Sequence, residues 1–153
     1  MDLKQALILI LAGAAGTCGF SLLFRLRKKL IPCAVLGAVL TLVVYVICLR
    51  FLHHAFFQNL FPALFGALYA EIAAKVTKSP ATQYLACAII PLVPGGGLYY
   101  TMYHFVTGDM ASFHTQLTQT ARTAAGLAVG IILISVLVHQ WRYRSLKTIF
   151  EEE

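Results

Sequence analysis

The sequence has little charge. Only 12% of its 153 residues are Asp, Glu, Lys or Arg, and just six are acidic. A soluble domain carries about twice that share, near 25%. So few charges cannot cover a chain that is 59% apolar in water. Catalytic signatures are missing too. No Gly-Lys-Ser/Thr follows the glycine run at 95–97, so it is not a phosphate loop. No nucleophile–base pattern stands out, and an enzyme is not expected. Cys18, Cys33, Cys48 and Cys87 lie inside apolar segments without CxxC spacing, so neither a disulfide nor a metal is expected. His53, His54, His114 and His139 lack ligand spacing as well. The expectation is no cofactor and no metal.

What is present is apolar length. Mean hydropathy is +0.79. Each bilayer crossing needs roughly 20 apolar residues. Charged boundaries divide the chain into five such runs: 3–24, 30–49, 59–76, 81–106 and 119–140. The expected fold is all-α, a polytopic membrane helical bundle, with residues 1–153 forming a single transmembrane domain. A cleaved signal peptide is not expected, because only Lys4 precedes the first run and the dense basic cluster follows it.

The net charge of +6 fits topology better than nucleic acid, which is not expected as a partner. Arg25, Arg27, Lys28, Lys29, Lys75, Lys78, Arg142, Arg144 and Lys147 would share one side if spans alternate. Lys4, Arg50 and Arg122 would lie on the other. The asymmetry predicts an outside N-terminus and a cytoplasmic C-terminus.

The fourth run is broken by Pro91-Leu92-Val93-Pro94-Gly95-Gly96-Gly97. Both prolines lack an N–H, and their rings disfavour continued helix. The glycines add little helical preference. At membrane depth the freed backbone groups need protein or a water-filled cavity around them. One reading is a discontinuous helix whose ends bind a solute at Pro91, Pro94, Gly95, Gly96 and Gly97. The others are a packing kink or a loop between shorter membrane pieces. Tyr99 shares a helical face with Tyr103. It either edges a solute pocket or joins an interfacial aromatic belt with Tyr103 and His104.

Glu71 is the one acid well inside a run. Placing it at the bilayer centre costs about 2.5–3.5 kcal/mol. It is a candidate for coupling transport to protons, or it pairs with Lys75 one turn on. Asn59 would either cap the third span or take a ligand role, and Asp109 would sit in a solvated Gly-Asp turn within a polar loop at 107–118. Arg122 would snorkel to the interface. Small residues recur at four-residue spacing: Ala12/Gly16, Ala15/Gly19, Gly66/Ala70/Ala74, Ala121/Ala125 and Gly126/Gly130. They favour close helix packing and leave a homo-oligomer open.

The stretch Ile90–Met102, with its Pro–Gly break, resembles the small membrane subunit of the bacterial threonine/serine exporter family. The likeness extends to the early basic loop, the Gly108-Asp109 turn and the last Ala/Gly-rich run. The resemblance implies a half-transporter in the bacterial inner membrane. Its partner would be a second polytopic membrane subunit. Its small-molecule substrate would be threonine or serine, or in a related two-subunit system a dicarboxylate such as succinate. A rival reading makes the chain a non-transporting assembly or stabilising subunit of a membrane complex.

Overall fold

A computed structural model describes residues 3–151, with side chains described for residues 4–141. Among these residues the chain is helical and has no strand. The helices are α1 (Leu3–Leu23), α2 (Ile31–Phe51), α3 (Ala55–Thr77), α4 (Ala81–Ile89), α5 (Gly95–Val106) and α6 (Met110–Glu151). A single 3-10 turn, Ile90–Leu92, follows α4. Four helices are long and apolar enough to cross a membrane, and the α4–α5 pair makes a fifth span if it counts as one. The side chains of Arg142, Arg144 and Lys147, and all of Glu152 and Glu153, fall outside the described residues.

The first two helices have no polar face to turn toward water. Leu7, Ile8, Leu11, Leu22 and Leu36 are exposed. In lipid that exposure costs nothing, and packing rather than hydrophobic burial joins the helices.

The centre of the bundle is α3, which packs against α2, α4 and α6. Its inward face is nearly all small: Ala63, Gly66, Ala67, Ala70, Ala73 and Ala74 are buried. A methyl group on Gly66 would lie 3.0 Å from Thr41 Oγ1 on α2. On α6, Gly126 abuts the Phe56 carbonyl, and a methyl on Gly130 would lie 2.7 Å from the Ala63 Cβ. The Gly126/Gly130 spacing is therefore the seam between α3 and α6, which run parallel. The α1 spacing has a different outcome, because Gly16 and Gly19 meet nothing within 4 Å.

Three helices end in the left-handed region. Arg25 (φ 52°), Lys78 (φ 53°) and Gly108 (φ 78°) follow α1, α3 and α5. Each begins a Schellman-type cap, in which the next residue's N–H reaches back five positions. Leu26 N–H donates to Ser21 O at 3.0 Å, Ser79 to Ala74 at 3.1 Å and Asp109 to His104 at 3.0 Å.

Two boundaries differ from the sequence expectation. The third helix starts at Ala55, so Asn59 lies in its second turn rather than at its cap. The cap is His54, which makes no side-chain capping bond. Leu52 to His54 alone turn the chain there. Secondly, the polar stretch expected as a loop at 107–118 is mostly helix. Only Thr107–Asp109 turn, and α6 begins at Met110. Asp109 makes this start feasible, because Ser112 N–H donates to its Oδ1 at 3.1 Å, an N-cap bond.

Candidate functional site

The break lies where sequence chemistry places it. α4 ends at Ile89, the 3-10 turn carries Pro91, and α5 restarts after Pro94 with the axis bent by 49°. Local bonds consume part of the freed backbone. Val93 N–H donates to Ile90 O at 3.2 Å, Gly95 N–H to Val93 O at 2.7 Å and Leu98 N–H to Pro94 O at 3.0 Å. Among the described residues, the amides of Gly96 and Gly97 have no such acceptor. They form the first turn of α5, where the helix dipole is positive.

Beside this turn is a cavity of about 260 Å³. It sits where five elements converge. Leu9 comes from α1, Tyr45 from α2 and Asn59 from α3. The break supplies Pro91 to Pro94 and Gly97, and α6 supplies Gln116, Gln119, Thr120 and Thr123. The lining is mixed polar and apolar, and uncharged: no Asp, Glu, Lys, Arg or His is among these residues. Leu42, Ala63, Leu92 and Leu127 form a buried apolar cluster that meets the lining at Leu92 and Tyr45.

Two polar side chains in the lining are almost wholly buried. Asn59 is 3% exposed, and its Nδ2 donates to Ala55 O at 2.8 Å. Its Oδ1 is left as an acceptor. Thr120 is 6% exposed, and its Oγ1 has no hydrogen-bond partner. It packs on the break itself: a methyl on Gly97 would lie 2.6 Å from Thr120 Oγ1. Such a site offers amide donors with a positive dipole, amide and hydroxyl side chains, and no formal charge. It can bind a small polar solute and orient it.

The structure distributes the expected site residues unevenly. Pro91, Pro94 and Gly97 line the cavity. Gly95 and Gly96 are exposed beside it. Tyr99 is 65% exposed, packs edge-on against Tyr100 at 5.3 Å and is not part of the lining. Glu71 lies twelve residues beyond Asn59 on α3, about 18 Å along the axis, well outside the cavity. It forms no ion pair with Lys75 among the described residues. Lys75 instead places its Nζ 5.1 Å from the Trp141 ring centroid.

Sequence reading passed over Tyr45, Gln116, Gln119, Thr120 and Thr123. A signal existed for four of them: 116, 119, 120 and 123 fall on one face at helical spacing. Placing the end of the loop at 118 separated Gln116 from the other three, which the expected fifth run already contains. A larger groove of about 380 Å³ lies between α3 and α6, lined by Leu68, Ile134, Leu137, Val138, Gln140 and Trp141. It is almost entirely apolar and lacks the convergent polar groups of a solute site.

Residues 9–137 match the family model described as Threonine/Serine exporter, ThrE. No curated protein and no solved structure matches the chain.

Proposed function

The chain belongs to the threonine/serine exporter family, and on that premise we propose that it is one subunit of a secondary exporter whose solute site is the cavity at the α4–α5 break. The observation that carries this reading is the meeting of unpaired α5 amides with an uncharged lining that includes the buried Asn59 and Thr120. A solute carboxylate would take the Gly96 and Gly97 amides, as anions do at helix N-termini. The Asn59 carbonyl oxygen would face a solute ammonium. A lining without a cationic side chain favours threonine or serine over a dicarboxylate such as succinate, whose second charge would be unmet.

Several finer assignments belong to the same proposal. The N-terminus is outside and the C-terminus cytoplasmic in a bacterial inner membrane, so the cavity lies in the outer half. The partner is a second polytopic subunit of the same family. Its supporting feature is the apolar, outward face of α5, where Leu98, Tyr99, Tyr100, Met102 and Tyr103 are all exposed. Glu71 remains the candidate for proton coupling, acting away from the solute.

The test is solute efflux by the purified subunits, alone and combined, in proteoliposomes. Healing the break with Pro94→Ala and Gly95→Leu should abolish threonine and serine efflux while the protein still inserts. Unchanged flux in that variant would reject the cavity as the solute site.

A further inference from the structure

Threonine hydroxyls in this chain follow one habit. Thr41, Thr77, Thr101, Thr107, Thr115, Thr118 and Thr123 each donate to the carbonyl four residues back, at 2.7 to 3.0 Å. This is the usual way a helix disposes of a hydroxyl in an apolar setting. Two buried threonines depart from it. The Oγ1 atoms of Thr17 and Thr120 have no partner. Thr17, on α1, does not line the cavity at the break. Thr120 lines the cavity at the break.

The Thr120 hydroxyl has a carbonyl within its own helix, at Gln116, and does not use it. A buried hydroxyl left without a partner is costly and rare. Its place is informative too. It rests against Gly97, whose amide is also unpaired, so an anion-binding donor and a free hydroxyl stand side by side. In an α-amino acid with a hydroxyl on its β-carbon, carboxylate and hydroxyl are separated by only two carbons. That spacing matches two adjacent protein groups rather than two opposite walls.

We propose that Thr120 is a specificity-determining residue that hydrogen-bonds the side-chain hydroxyl of the solute. The inference rests on the exporter reading above and assigns one contact within it. While the carboxylate holds to the first turn of α5, Thr120 tests for the hydroxyl. A solute without that group leaves Thr120 buried and unmet, the kind of mismatch by which polar sites reject apolar analogues. Gly97 is part of the device, because any side chain there would push the hydroxyl aside.

The experiment compares threonine with 2-aminobutyrate, which differs only by lacking the hydroxyl. Efflux of each is measured from preloaded cells of the native host, deleted for this chain and complemented with wild type, Thr120→Val, Thr120→Ser or Gly97→Ala. Wild type should prefer threonine. Thr120→Val should lower threonine efflux roughly tenfold, about one hydrogen bond's worth, and leave 2-aminobutyrate efflux near wild type. Thr120→Ser should keep the preference. Gly97→Ala should erode it, which decides the matter if Thr120→Val fails to accumulate in the membrane. An unchanged threonine to 2-aminobutyrate ratio in the accumulating variants overturns the assignment, as does a parallel fall in both fluxes. No threonine efflux from wild type above the deletion strain would reject the exporter reading itself.

Discussion

Thr120 on α6 touches α5 at Gly97, where a single added methyl would lie 2.6 Å from the Thr120 hydroxyl oxygen. The contact joins the two halves of the candidate site: backbone donors from the break and a side-chain hydroxyl from the last helix. Only glycine allows this approach.

The α3–α6 seam should be intolerant of bulk. Gly126→Ala would drive a methyl into the Phe56 backbone carbonyl. We expect a loss of about 1–3 kcal/mol, typical of overpacking, read as a lower midpoint in detergent unfolding. Gly16→Ala is the control. It meets nothing within 4 Å and should be neutral or stabilising, since alanine is the better helix former.

Lys78→Gly should raise stability by about 1 kcal/mol, because a lysine at φ 53° occupies a region that costs L-residues about that much. Gly108→Ala, at φ 78°, should lower it by a similar amount. Thermal midpoints of the two variants should therefore move in opposite directions.

The start of α6 should respond to acid. The Asp109 carboxyl is held below the usual carboxylate range, first by its hydrogen bond from Ser112 and more weakly by nearby His104. A depressed carboxyl stabilises the fold above its unfolded pKa, and that contribution fades as pH falls through the folded value. Hydrogen exchange at the Ser112 amide should therefore lose protection on acidification. Asp109→Asn should retain a capping oxygen and flatten that dependence.

Glu71→Gln should leave thermal stability within about 0.5 kcal/mol of wild type, since Glu71 forms no ion pair among the described residues. If Glu71 couples protons, the same variant should export at a rate that no longer depends on the proton gradient. Measuring both on one preparation separates a structural acid from a coupling one.

Much of this architecture was legible in the sequence because lipid imposes simple rules. Apolar length located the helices, and Pro91, Pro94 and the glycines located the break. Spacing found Gly126 and Gly130, but could not distinguish their packed seam from the open face at Gly16 and Gly19. The polar wall of the cavity was missed for a physical reason. Gln116 sits in a stretch of loop-like composition that the cap at Asp109 makes helical, while Gln119, Thr120 and Thr123 lie in the expected last span, where spacing alone does not tell which face meets the break. Tyr99 shows the reverse. Its proximity to the break in sequence suggested the cavity, but the helical turn carries it to the outside.

The connection between α5 and α6 is three residues long and closed by two reciprocal caps, one ending the first helix and one starting the second. So tight a joint leaves little slack between the helices. Sixteen residues of α6, about 24 Å, precede its Gly126 contact with α3. The two groups proposed to hold the solute, the Gly97 amide and the Thr120 hydroxyl, are therefore linked through one short joint, while Leu9, Tyr45 and Asn59 reach the cavity from three other helices.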